Sequence, residues 1–240
     1  ARPTPPGPRR VPPGPVVIWN LVRRCNLTCK HCYAISADKD FPGELSTADI
    51  FRVMDDLKAA RVPVLILSGG EPLLRPDIFD IARRAKDMGF YVGLSSNGTL
   101  VNEANVAAIA ATGFDYVGIS LDGLRATHDR FRRKEGAFDG ALNGIRLCRD
   151  AGAKVGLRFT LTQDNAQDFP ALLDLMEAED IDKFYLSHLN YAGRGNKNRK
   201  HLAPSRLKPG APPLGGQRTP VSEGADQFDA HYRATRVAMD

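Results

Sequence analysis

Six short apolar runs, each but the last followed by a stretch of helical periodicity, limit how this chain can fold. Val16–Leu21, Val64–Ser68, Tyr91–Ser95, Tyr116–Leu121, Val155–Thr162 and Lys183–Leu189 read as strands. Ile50, Val53, Met54 and Leu57 recur at i, i+3, i+4 and i+7 behind Ser46, with Asp49 three residues on as a capping-box acid. Ile78, Ile81, Ala85 and Met88 mark a second helix after Asp77, and the Ala-rich stretch Glu103–Ala111 a third. Phe138, Leu142 and Ile145 place a fourth over roughly Phe138–Ala151, and Phe169, Leu172, Leu173 and Met176 a fifth after Asp168. Parallel strands need long crossovers, so this alternation predicts an α/β fold with a parallel sheet. Six strands are too few to close an eight-stranded barrel. They suit an open, partial (β/α)6 TIM-like barrel, with a doubly wound sheet as the alternative. In both, functional groups gather beyond the C-terminal ends of the strands.

The flanks have a different composition. Residues 1–15 are rich in Pro, Gly and Arg and read as a disordered or extended leader without the apolar stretch of a secretory signal. Residues 16–200 form the core domain. Residues 201–240 read as a Pro/Gly-rich linker and the start of an incomplete C-terminal region. No run approaches the roughly 20 apolar residues that span a bilayer. The expectation is a cytoplasmic protein with no membrane partner. The net charge of +5 comes mostly from basic residues mixed with acidic ones, a poor match to nucleic acid. The basic runs Arg130–Lys134 and Arg194–Lys200 are exceptions. The first reads as a solvated loop, and either can meet a small anion.

Three of the four cysteines lie within eight residues, in Cys25-Asn-Leu-Thr-Cys29-Lys-His-Cys32, directly after the first strand. A cytosolic triplet is a metal-ligand pattern rather than a disulfide framework. Three thiolates can hold three irons of a [4Fe–4S] cluster and leave the fourth open. A Cys3His zinc site that recruits His31 is the competing reading; it is cramped, because His31 sits between two of the ligands. Cys148, on a helix near the core face, reads as a buried small residue.

Polar groups end four successive strands. Ser68-Gly69-Gly70-Glu71-Pro72 follows the second, where glycines permit close backbone approach and Glu71 can receive an ammonium. Ser95-Ser96-Asn97-Gly98 follows the third and Ser120-Leu121-Asp122-Gly123 the fourth. Singly each is plain turn chemistry; together they point to one shared site. Arg158, inside the apolar fifth strand, either pairs with an acid such as Asp122 or meets a ligand carboxylate.

These motifs, in this order over about Val16 to Asn190, resemble the radical S-adenosylmethionine (SAM) superfamily. The resemblance implies that Cys25, Cys29 and Cys32 bind a [4Fe–4S] cluster whose open iron is chelated by SAM. Gly69, Gly70 and Glu71 would hold the methionyl ammonium. Ser96 or Asn97, Ser120, Asp122 and Arg158 would hold carboxylate and ribose, and His31 would sit near the adenine. It further implies reductive cleavage of SAM to a 5′-deoxyadenosyl radical, with an electron donor such as flavodoxin or ferredoxin. The runs Val16–Cys25, Ala34–Asp40, Pro63–Ser68 and Asn190–Asn196 are similar to the heme d1 biosynthesis family of radical SAM proteins (NirJ type). That implies removal of propionate side chains from the tetrapyrrole didecarboxysiroheme. Related heme-pathway enzymes removing acetate side chains, peptide-modifying radical SAM enzymes, and a zinc-stabilised or iron–sulfur carrier module are the alternatives. Family members continue into a region with further cysteines for an auxiliary cluster, whereas no cysteine follows Cys148 here. One cubane cluster is therefore expected for this chain.

Overall fold

Each apolar run forms a strand of one sheet in the computed structural model, which describes residues 14–203. The strands are β1 (Val16–Val22), β2 (Val64–Gly69), β3 (Tyr91–Ser96), β4 (Tyr116–Ser120), β5 (Val155–Leu161) and β6 (Lys183–His188). All neighbours are parallel and the spatial order equals the chain order. A doubly wound sheet would reverse direction at a switch point; here every step goes the same way. Right-handed crossovers that all step in one direction put all the helices on one face. The expected partial (β/α)6 barrel, open between β1 and β6, is what forms.

The crossover helices are α1 (Thr47–Ala59), α2 (Ile78–Asp87), α3 (Glu103–Thr112), α4 (Arg125–Arg132), α5 (Ala137–Asp150) and α6 (Phe169–Ala178). Two short helices follow β6, α7 (Gly193–Lys197) and α8 (Arg199–Leu202). Ser46 caps α1 by accepting from the Asp49 N–H, and its hydroxyl donates to the Asp49 carboxylate at 2.5 Å. The helix-facing residues of the sheet, Leu65, Leu67, Val92, Leu94, Val117, Ile119, Leu157 and Phe159, are buried against Ile50, Met54, Ile78, Ile81, Ile109 and Ile145. Full burial contributes about 1.5–3 kcal/mol for each large aliphatic side chain. Cys148 lies in this core, fully buried.

Side chains alternate across a strand, so the opposite set, including Ser68, Ser95, Tyr116, Ser120, Arg158 and Thr160, faces the concave interior. Tyr116 stacks on Tyr185 at 5.2 Å between centroids. Gly93, Gly118 and Gly156 leave the room: a Cβ on Gly93 would lie 2.3 Å from the Tyr116 ring. This aromatic floor closes the lower interior and leaves the C-terminal strand ends as the accessible mouth.

One expectation changes. The first basic run, read as a solvated loop, belongs largely to a helix, α4, between β4 and α5, while the second lies on α7 and α8. The leader up to residue 13 and the linker from residue 204 lie outside the described residues. No described helix is long and apolar enough to cross a membrane.

Candidate functional site

The three clustered cysteines sit on the loop that leaves β1 at the mouth of the barrel. Cys25 and Cys29 are buried and pack with Leu27 and Cys32. Burial pushes the Cys25 thiol up to about 12, and it raises the Cys29 thiol despite the opposing Arg132 charge. Nitrogen donors nevertheless point at the sulfurs. The Leu27 N–H lies 3.4 Å from Cys25 Sγ, Asn97 Nδ2 lies 3.9 Å from Cys25 Sγ, and Arg132 Nη1 lies 3.6 Å from Cys29 Sγ. Buried thiols ringed by donors fit a bound cationic cluster, which supplies the charge that thiolate formation needs. Among the described residues, no three His, Cys, Asp or Glu side chains converge on a single-ion site.

Two carboxylates flank this loop. Glu71 is fully buried. Its Oε1 accepts from Ser96 Oγ at 2.8 Å and the Leu73 N–H at 3.1 Å, and its Oε2 accepts from the Asn97 N–H at 2.8 Å. Burial raises its pKa above the ordinary carboxylate range in spite of these bonds. Gly69 and Gly70 make their close approach to the chain itself: Cβ atoms there would meet Val22 O at 2.3 Å and Arg24 O at 2.2 Å. The Gly70 and Glu71 N–H groups donate to those same carbonyls, so this turn seats the base of the cysteine loop. Asn97 extends the seat by donating to Asn26 Oδ1 at 2.9 Å.

Asp122, also fully buried, lies just past the end of β4. Its Oδ1 accepts from the Thr160 N–H at 2.8 Å, and its Oδ2 pairs with the Arg132 guanidinium. Burial acts to raise its pKa, but the Arg132 charge, helped by the Thr160 N–H, outweighs burial and holds it below the usual range. His31 lies 3.9 Å from the same oxygen and stacks on Phe131 at 4.5 Å. The Asp122 N–H donates to His128 Nδ1 at 2.9 Å. Burial keeps both imidazoles neutral, lowering His31 to about 4 and His128 to about 3. His31 Nδ1, His128 Nε2 and Arg132 Nε are buried without a hydrogen-bond partner.

Of the two readings of Arg158, the pairing with Asp122 does not form. Asp122 is turned toward α4, while Arg158, half-buried opposite Ser120 in the register, donates to Tyr116 Oη at 3.2 Å. Ser120 and Arg158 thus face the concave mouth, whereas Glu71 and Asp122 stand behind it.

The sequence pattern did not reveal Arg132 and His128. The run Arg130–Lys134 read as solvated, yet Thr127, His128, Phe131 and Arg132 are buried on one face of α4. Leu124, Thr127, His128 and Phe131 have the i, i+3, i+4, i+7 spacing that would have revealed the helix. By charge alone Arg194 groups with basic residues open to a ligand. Instead its Nε donates to Cys29 O at 2.7 Å, its Nη1 to Ser36 O at 2.9 Å, and its N–H to Cys32 O at 2.8 Å. Asn198 Nδ2 adds a bond to Lys30 O at 2.8 Å. The residues after β6 clamp the cysteine loop.

Comparison with known proteins agrees with this geometry. Residues 19–176 match the radical SAM superfamily. The chain is 57% identical over 197 residues to the pre-heme d1 synthase of Dinoroseobacter shibae, covering 82% of this chain and 49% of that protein. It is 48% identical over 183 residues to the Fe-coproporphyrin III synthase of Methanosarcina barkeri, covering 76% and 46%. The chain thus spans about half the length of these curated relatives. Streptococcus suis SuiB bound to S-adenosylmethionine shares the fold, with a TM-score of 0.64 at 18% identity over 72% of this chain and 40% of SuiB. The chain belongs to the radical SAM superfamily.

Proposed function

We propose that Cys25, Cys29 and Cys32 hold a [4Fe–4S] cluster and leave one iron to SAM, and that the full-length protein acts on a carboxylate-bearing tetrapyrrole. The observation carrying this reading is the packed cysteine triplet with nitrogen donors on two of its sulfurs at the mouth of the barrel. Bound there, the cluster supplies the electron, drawn from a flavodoxin- or ferredoxin-type donor, that cleaves SAM to methionine and a 5′-deoxyadenosyl radical. The chain's own part is to bind, orient and exclude water. Ser120 and Arg158, facing the mouth, would take the ribose and carboxylate of SAM. The loop of Gly69 and Gly70, with Ser96 and Asn97, would line its methionyl end. Glu71 and Asp122 fix these loops from behind, and His31, stacked on Phe131, would border the adenine.

The high identity to the pre-heme d1 synthase favours didecarboxysiroheme as substrate, with loss of propionate side chains. Similarity to the Fe-coproporphyrin III synthase supports acetate removal from the same macrocycle as the second reading. Arg199, exposed and stacked over the Tyr191 ring at 4.6 Å, would be available to a substrate carboxylate, as would the exposed Lys197 and Lys200. Anaerobic reconstitution should give about four irons and four sulfides per chain. Cys25→Ala should abolish the cluster and Cys148→Ala should leave it intact. About eight irons, or cluster loss in the Cys148 variant, would overturn the assignment.

A further inference from the structure

Arg132 is the one guanidinium in contact with a cysteine sulfur among the described hydrogen bonds. Its side chain is 8% exposed. One nitrogen, Nη1, lies 3.6 Å from Cys29 Sγ, and the other, Nη2, pairs with Asp122. Several bonds hold it there. Asp122 is fixed by the Thr160 N–H, and its own N–H is bound by His128, one turn before Arg132 on α4. Phe131, the residue before Arg132, accepts from the Lys30 N–H at 2.9 Å inside the cysteine loop. Arg133 then ends α4 in the left-handed region, at φ 57°. A salt bridge between Arg132 and Asp122 alone would not require the helix to be fastened to the loop that carries Cys29.

We propose that Arg132 is a positioning residue that sets the reduction potential of the cluster, through a charge-assisted N–H···S bond to Cys29 that Asp122 holds in aim. The proposal rests on the cluster reading above. Hydrogen bonds to cluster sulfurs and nearby charge are what set such potentials. Reduction adds one electron to the cluster, and a fixed cation beside a ligand sulfur favours the state with more negative charge. The pair also explains why Asp122 is turned from the mouth: its role is to orient Arg132. Arginine suits the place because its planar fork serves sulfur and carboxylate together, which a lysine ammonium cannot do in one rigid geometry.

The test is a spectroscopically monitored potentiometric titration of the reconstituted chain without SAM. Arg132→Met should lower the midpoint potential by at least about 59 mV, a tenfold fall in the one-electron reduction equilibrium. Arg132→Lys, which keeps the charge without the fork, should fall between. If Arg132→Met does not load, the paired Asp122→Asn/Arg132→Gln variant leaves neither partner buried and charged alone. It should also shift the potential downward, because the guanidinium is the partner beside the sulfur. A loaded Arg132→Met, or failing that a loaded pair variant, with an unchanged midpoint would overturn the proposal and leave Arg132 a purely structural residue. Absence of any cluster in the unaltered chain would instead sink the cluster reading, so the two failures are distinct.

Discussion

Glu71 and Asp122 are both fully buried carboxylates at strand ends on either side of the cysteine loop, yet they are held by opposite means. Glu71 is bound by two backbone N–H groups and a hydroxyl, with no cation bonded to it. Asp122 is bound by a guanidinium and one N–H, among imidazoles with spare buried nitrogens. On the Glu71 side burial prevails and the carboxyl is pushed toward protonation; on the Asp122 side the charge of Arg132 prevails and the carboxyl stays ionised. A strand-end loop fastened by neutral donors is finished by folding. One fastened by a charge network with unused donors still has groups to offer a ligand.

The largest effect tests this contrast directly. Asp122→Asn leaves Arg132 buried without its counter-ion and should destabilise the cluster-free chain by about 3–5 kcal/mol. Glu71→Gln disturbs neutral hydrogen bonds and should cost about 1–3 kcal/mol. Equal losses in urea denaturation would break the comparison. The second effect is its pH dependence. Because the folded pKa of Asp122 lies below 3.8, its contribution is present above that pH and is lost as pH falls through the folded value. Because the folded pKa of Glu71 lies above 4.5, its contribution is full below that pH and declines as pH rises through the folded value. His128, lowered from 6.5 to about 3, makes stability rise between those pH values. Stability curves of Glu71→Gln and His128→Gln should therefore diverge from the parent in opposite directions across about pH 4.5–6.5. Curves that stay parallel would show that neither group has a shifted pKa. The smallest effect lies within one basic run. Arg130 makes a single long bond, 3.4 Å, to Asp164 O, so Arg130→Ala should change stability by no more than about 0.5 kcal/mol. A loss as large as that of an Arg132 variant would erase the distinction between solvated and buried members of the run.

The six strands were legible because each is an apolar run bounded by turn residues, and the long helices because core residues repeat at helical spacing or, in α3, because alanine dominates. Each strand starts at the residue expected from the sequence and ends one residue before or after its expected limit. The cysteine triplet and the polar strand ends were visible as types of residue, but their orientation was not. Whether a carboxylate faces a ligand or a loop depends on a partner far away in the chain, as Glu71 with Asn97 shows. Helix α4 resembles a solvated segment in sequence because its eight residues include three arginines, and burial of Arg132 follows only from Asp122 being placed against it. Charge in a sequence reads as solvation until the fold supplies the counter-charge.

The clamp on the cysteine loop has a consequence for the order of events at the ribosome. Arg194 is 165 residues beyond Cys29, whose carbonyl it binds. At about 5–20 residues per second, synthesis of that interval takes roughly 8–33 s. Throughout it Cys25, Cys29 and Cys32 are on a loop whose seat and cover have not all been made. The seat formed by Gly69 to Glu71 and Asn97 arrives first, α4 next, and the Arg194–Asn198 cover last. Chain order therefore places closure of the cysteine loop after the sheet has been made through β6.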